Sequence, residues 1–455
     1  MSDLIISVSG VRGIIGDSLT AATAMELGQA FGAWLKHTGG DARRVAPVKV
    51  AIGRDSRISG PMIQSAFSAG LMAVGVHVVD LGITTTPSVA LMGRFLKTDA
   101  AVVITASHNP AEYNGIKFIS PGGIAFSGTV INELKKLYEA HNWNLESIAG
   151  IGTLTMDSRA HANHVQAILP LVDSKGISAH RYRVVLDSIN GAGCAPSPML
   201  LGKLGVELAH VNNQATGRFA HAPEPTRENL TDLCRQVTRH RAVVGFAQDP
   251  DADRLAVVDE RGVYVGEEYT LALATLSRVL VQPGVIVCNL STSRMVDDIA
   301  AKFKSTVIRT PVGETNVAAA MLAHQAVIGG EGNGGVIDPR VGPVRDSLIG
   351  MALILELMTR TGKSISQIVG SIPKYAMIKT KFSATRPEAQ ALVEKVKAEF
   401  AAQRLDPRDG VRIDWPEGWV HVRPSNTEPI ARVIAEAADD KTAQELIARV
   451  ERLKN

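Results

Sequence analysis

The 455-residue chain is too long for one ordinary hydrophobic core and suggests about three domains. Its 45% hydrophobic and 20% charged residues are those of a globular protein. A net charge of +3 without a long Lys/Arg run excludes a general nucleic-acid binder.

The first residues, MSDLIISVSGVRG, lack the basic start and the apolar length of a signal peptide. Three α/β units then follow in series. Val48–Gly53 (VKVAIG), Val184–Asp187 (VVLD) and Val285–Cys288 (VIVC) read as short buried strands rich in β-branched residues. Each enters a polar loop (GRDSRISG, SINGAGCAP, NLSTSR) and then an amphipathic helix: Met62–Val74, Pro198–Leu204 and Met295–Phe303. A second strand follows (VHVVDLG, VELAHV, TVIRTPVG), then a helix, then a last strand (AAVVITAS, AVVGFAQD, AVIGGEG). Alternating strands and helices imply largely parallel sheets, which bind ligands at loops beyond the strand ends. Ile349–Met358 is about half a membrane span and reads as a buried helix. From Tyr375 the pattern changes to a strand, a charged helix Arg386–Gln403, antiparallel-looking strands and a last helix Lys441–Lys454. The expected division is 1–155, 156–258 and 259–372 as α/β domains and 373–455 as an α+β domain. Cys194, Cys234 and Cys288 lie far apart without CxxC spacing, which points to a reducing cytoplasm and to neither disulfides nor zinc.

The chemistry-bearing segments fall on the last-strand loops. In TASHNPAEYNGIKF, Ser107 ends a buried strand and precedes His108-Asn109-Pro110, while Lys117 could transfer a proton or contact phosphate. Ser107 and Asn109 as simple turn formers are the alternative. In QDPDADRLAVV, Asp249, Asp251 and Asp253 alternate, so an extended loop would converge three carboxylates on a hard cation, read as Mg²⁺. A calcium loop would need glycine where Arg254 stands; a solvated acidic turn is the other reading. In GGEGNGGVI, Glu331 and Asn333 among five glycines could grip sugar hydroxyls or mark a flexible loop. TPVGE adds backbone donors around Thr310 and Gly313. In VRPSNTEPIARV, Arg423, Ser425, Asn426 and Thr427 make a phosphate clamp or an ordinary polar hairpin. Arg12 in SGVRG, with Arg54 and Arg57, could stabilise transferred charge or lie on the surface.

Together these segments resemble the α-D-phosphohexomutase superfamily across the whole chain. The resemblance implies three tandem α/β domains and a C-terminal α+β domain around a central cleft. It implies a phosphorylated Ser107, Mg²⁺ held by Ser107, Asp249, Asp251 and Asp253, and Arg12, His108 and Lys117 near the reacting oxygens. It places Arg254, Thr310, Gly313, Glu331 and Asn333 on the sugar, and Arg423, Ser425, Asn426 and Thr427 on the distal phosphate. Many relatives carry a serine and a histidine where this chain has Asn333 and Gly335. The implied reaction interconverts hexose 6-phosphate and hexose 1-phosphate through a hexose 1,6-bisphosphate, with glucosamine phosphate favoured over mannose or glucose phosphate. A phosphatase and a non-catalytic sugar-phosphate sensor are the rival readings. The expected partner is a phosphosugar, with neither nucleic acid nor membrane; monomer and homodimer stay open.

Overall fold

The computed structural model describes residues 4–38, 47–425 and 430–454. It holds four sheets in chain order. The first runs Ile5–Ser7, Gly10–Ile14, Tyr113–Ile119, Ala100–Ile104, Lys49–Arg54, His77–Ile83, Leu154–Met156. The second runs Leu255–Asp259, Val244–Gln248, Arg183–Asp187, Glu207–Val211, and the third Thr306–Thr310, Val285–Asn289, Ile328–Glu331, Gly335–Ile337.

The three strands expected in each unit are parallel neighbours. Each unit also has an antiparallel strand returning from its last parallel strand: Tyr113–Ile119, Leu255–Asp259 and Gly335–Ile337. The three chemistry-bearing loops are therefore hairpin connections at equivalent places in three sheets. Their strands are nearly all buried, as apolar β-branched runs covered on both faces should be.

The fourth sheet is wholly antiparallel, in the order Ala376–Ser383, Ile430–Ala437, Gly418–Pro424, Val411–Asp414, Arg404–Asp406. Helices Arg386–Glu399 and Asp440–Glu451 cover it. Thr385 and Glu388 form a capping box that fixes where the first of these helices starts.

Packing groups the units unevenly. The first has its own core, in which Phe31, Phe67, Phe118 and Phe126 meet. The second and third share one continuous core around helix Ser347–Thr361, whose residues from Ser347 to Met358 are all buried. Leu186, Phe246, Leu271, Ile286 and Leu353 belong to that one cluster. Each such side chain stabilises by roughly 1.5–3 kcal/mol on full burial, which ties the two units into one body. The fourth unit meets the third through polar contacts instead. Arg294 donates to the carbonyls of Trp415 and Gly418, Arg412 donates to that of Leu290, and Ser291 pairs with His421. Among the described residues no helix is long and apolar enough to cross a membrane.

Candidate active site

Ser107 closes the strand Ala100–Ile104 with a left-handed backbone, φ 51°, unusual for a residue bearing a Cβ. The conformation persists because Arg57 clamps the loop. Its guanidinium donates to the carbonyls of Ser107 and Asn109 at 2.7 Å, of Pro110 at 2.7 Å and of Tyr113 at 2.9 Å. Its Nε donates to Asp55. Arg57 is thus buried scaffolding, neither the surface residue nor the charge stabiliser that its motif suggested. The Ser107 hydroxyl does not face outward. It is buried and donates across the unit boundary to Asp249 Oδ2 at 2.9 Å.

The Asp249–Asp253 segment converges as a turn, not by extended alternation. Ala252 is left-handed at φ 55° and its N–H donates to the Asp249 carbonyl. The amides of Asp253 and Arg254 both donate to Asp249 Oδ1. One carboxylate oxygen from each aspartate lies within 4.8 Å of the others. Asp251 Oδ2 is held by Lys117 at 2.6 Å and Thr86 at 2.5 Å, and Asp253 Oδ2 by Arg345 at 2.7 Å. The other oxygens, Asp251 Oδ1 and Asp253 Oδ1, are buried without a hydrogen-bond partner among the described residues. Two orphaned anionic oxygens beside a third carboxylate and a serine hydroxyl fit a hard divalent cation.

The electrostatics follow from this crowding. Burial and repulsion from Asp253 and Asp251 push Asp249 well above the ordinary carboxylate pKa. Burial works the same way on Asp251 and Asp253, but Lys117 and Arg345 respectively outweigh it and hold both below the ordinary value. Burial disfavours the Lys117 ammonium, yet Asp251 and Asp253 overcome it, so the lysine is held charged. His108, its Nδ1 3.3 Å from Ser107 Oγ, is pushed down to about 2 by burial and by Arg254 and Arg12, and is therefore a neutral imidazole. Arg12 reaches Asn109 Oδ1 at 2.9 Å; the remaining serine-loop side chain is thereby fixed.

On the third unit, Glu331 Oε1 accepts from the Gly313 amide at 3.0 Å and from Asn289 at 2.9 Å, while Oε2 accepts from Arg345 at 2.9 Å. The Thr310 hydroxyl is turned onto the Pro311 carbonyl, and Asn333 Oδ1 accepts from the Gly335 amide within its own turn. Arg254 lies 3.5 Å from Glu224. On the fourth unit, Arg423 lies 4.0 Å from Asp409, whose carboxylate also accepts from the Val312 amide of the third unit. Ser425 pairs through its amide with Ile430, whereas Asn426 and Thr427 lie outside the described residues.

Thr86, Asn289 and Arg345 have no place in the sequence reading. Arg345 stands in a loop before the helix Ser347–Thr361, with no local pattern to mark it.

Three α/β/α units and a C-terminal unit, meeting at a serine, a carboxylate trio and a distal arginine, are the build of a phosphohexomutase. That is an isomerase moving a phosphoryl group between two oxygens of a hexose. The chain matches the phosphoglucomutase/phosphomannomutase alpha/beta/alpha domains I, II and III over residues 4–144, 161–262 and 266–375. It matches the C-terminal domain of the same enzymes over residues 380–453. A phosphoglucomutase/phosphomannomutase of Thermococcus kodakarensis is 38% identical over 96% of this chain and 95% of its own. A probable phosphoglucosamine mutase of Methanopyrus kandleri is 36% identical over the same shares. The crystal structure of a phosphoglucomutase/phosphomannomutase family protein from Burkholderia thailandensis superposes with a TM-score of 0.86. It is 27% identical, with 100% of this chain and 98% of that one covered. The chain belongs to the phosphoglucomutase/phosphomannomutase family.

Proposed function

We propose that this phosphohexomutase acts through a phosphorylated Ser107 and favours glucosamine phosphate, interconverting glucosamine 6-phosphate and glucosamine 1-phosphate. The observation that carries the mechanism is the Ser107 Oγ–Asp249 Oδ2 contact of 2.9 Å, which joins the serine of one unit to the carboxylate trio of the next.

In the forward step the bond between phosphorus and Ser107 Oγ breaks and a bond to the free hydroxyl of a hexose monophosphate forms. The sugar hydroxyl loses a proton and Ser107 Oγ gains one. Lys117, held as an ammonium beside Asp251, is the group we assign to give the leaving Oγ its proton and to recover one from the hydroxyl. Asp249, Asp251, Asp253 and the seryl phosphate would hold Mg²⁺, which when bound neutralises charge developing on the transferring group. Glu331, oriented from three sides, would accept hydrogen bonds from sugar hydroxyls, and Arg254, Thr310, Gly313 and Asn333 would complete the sugar site. Arg423 and Ser425, with Asn426 and Thr427, would hold the phosphate that is not reacting. The bisphosphorylated sugar then turns end for end, and its other phosphate passes to Ser107. Closure of the fourth unit about Ile372–Lys374 would keep water from the phosphoserine.

The preference for glucosamine phosphate is supported by the EGNGG and TPVGE segments and by the name of the Methanopyrus relative; the Thermococcus relative favours mannose and glucose phosphates as the alternative. Three free cysteines support a reducing, cytoplasmic setting. Ser107→Ala should abolish turnover of all three sugar phosphates when the matching 1,6-bisphosphate is supplied. Near-normal conversion by that variant would end the mechanism, and kcat/KM on the three 1-phosphates ranks the substrates.

A further inference from the structure

Arg345 connects two parts of the site that the chain otherwise keeps on different units. Its Nη2 donates to Asp253 Oδ2 at 2.7 Å and its Nη1 to Glu331 Oε2 at 2.9 Å. Its backbone N–H donates to Glu314 at 2.7 Å, and its Nε stands 3.6 Å from the same carboxylate. The side chain is only 10% exposed, and burial alone would work against its charge; Asp253, Glu314 and Glu331 more than restore it. With Asp253 Oδ2 taken, Oδ1 is left without a hydrogen-bond partner among the described residues.

The arginine reaches this position because Gly335 has no side chain. A Cβ built on Gly335 would stand 2.2 Å from Arg345 Cδ and 2.9 Å from Cγ, inside the aliphatic stem and not at its flexible tip. Gly335 does not have the positive φ that requires glycine, unlike its neighbour Gly334 at 86°. The demand for glycine at 335 is one of space for the arginine, not one of backbone conformation.

We propose that Arg345, lodged in the gap at Gly335, is a positioning residue that sets the metal carboxylate Asp253 and the sugar-loop carboxylate Glu331 in one fixed relation. A planar guanidinium can bridge two carboxylates through separate nitrogens, whereas an ammonium is a point charge on a flexible stem. One fork thereby orients the cation ligand and the sugar contact at once, and moving either one disturbs the other. The Glu331 half of the inference rests on the mutase reading above; the Asp253 half rests only on the carboxylate trio.

The test is a double-mutant cycle on Arg345 and Gly335 with two independent readouts. Mn²⁺ binding to the purified full-length protein is followed by electron paramagnetic resonance, which needs no turnover, and kcat and KM are measured on hexose 1-phosphates. Arg345→Gln should weaken Mn²⁺ binding roughly tenfold or more, as loss of an outer-shell partner commonly does. It should also raise KM and lower kcat together. Arg345→Lys should restore neither, and Gly335→Ala, which leaves every charge in place, should reproduce both defects by evicting the arginine. The pair Gly335→Ala/Arg345→Gln should be no worse than either single variant. Rescue by lysine, additive defects in the pair, or unchanged Mn²⁺ binding in Arg345→Gln and Gly335→Ala would each overturn the proposal. If no sugar phosphate is turned over by the wild type while the Mn²⁺ cycle behaves as expected, the mutase reading fails and the Asp253 tether stands.

Discussion

Replacing Arg57 tests whether the serine loop is held by one guanidinium. All five of its N–H groups are used: one on Asp55 Oδ2 and four on the carbonyls of Ser107, Asn109, Pro110 and Tyr113. Arg57→Met fills similar space but leaves Asp55 buried, fully enclosed and without its cation. Breaking such a pair from one side costs about 3–5 kcal/mol. The four carbonyls would each add about 1–3 kcal/mol if they stayed buried, but the loop can open to water, so the first figure is the one to expect. A lysine there keeps the charge and offers at most three donors, so Arg57→Lys should lose about 2 kcal/mol. Turnover should fall on the order of a hundredfold in Arg57→Met, because displacement of a reacting oxygen by an ångström has that effect. Urea midpoints by circular dichroism and steady-state rates measure both. Adding Asp55→Asn to Arg57→Met should recover part of the stability, since the buried charge is then gone, but not the rate. A single-variant loss below about 1 kcal/mol with turnover near normal would show that the left-handed Ser107 is held by something else.

Metal addition and pH give two further expectations. Mg²⁺ at a hundred times its dissociation constant should stabilise the protein by about 2.7 kcal/mol through mass action. The effect should be absent in Asp251→Asn/Asp253→Asn and with matched NaCl; an unmoved melting temperature in millimolar MgCl₂ would remove the cation from the trio. His421, between Ser291 and the Asp409 carbonyl and facing Arg412 and Arg423, is pushed by burial to about 4 from 6.5. The folded state therefore binds fewer protons than the unfolded one between those values. Its contribution is complete above pH 6.5 and is lost as pH falls towards 4, reaching up to about 2 kcal/mol by pH 5. His421→Asn should flatten the wild-type fall in urea midpoint over that interval, and parallel profiles for the two proteins would refute the assignment.

The parallel strands and most helices were legible because burial on both faces demands unbroken apolar runs such as AAVVI and VGFAQ. The site loops were legible because serine, aspartate and glutamate stood at the same strand end in three successive units. The return strand Tyr113–Ile119 was not, since it lies inside its motif and invited a reading as chemistry first. Ser107 and Ala252 carry side chains that ordinarily avoid positive φ, so no local rule announces their turns. Arg57 and Arg345 are the instructive cases. Each has a role fixed by partners distant in sequence: Arg57 by carbonyls about 50 residues away, Arg345 by a carboxylate 92 residues away and by a side chain that Gly335 lacks. The merging of the second and third cores was hidden for the same reason, because the covering helix Ser347–Thr361 follows both sheets in the chain.

Charge balance couples the serine of one unit to the carboxylate trio of the next. Asp249, Asp251 and Asp253 are faced by Lys117, Arg345, Arg254 and Arg12, the last three close enough to depress the imidazole of His108. With Glu314 and Glu331 on Arg345 counted, five carboxylates and four cations leave the pocket near neutrality without any added charge. A phosphoryl group on Ser107 brings up to two negative charges and a divalent cation brings two positive ones, so the pocket keeps its balance only if both arrive. Either one alone would shift a buried, low-dielectric site by two charges, which is costly. The phosphorylated protein should accordingly bind Mn²⁺ more tightly than the dephosphorylated one, and by linkage the bound cation should protect the phosphoserine. Equal Mn²⁺ affinities for the two forms, each verified by intact mass, would show that the cations around Ser107 take up the phosphate charge unaided.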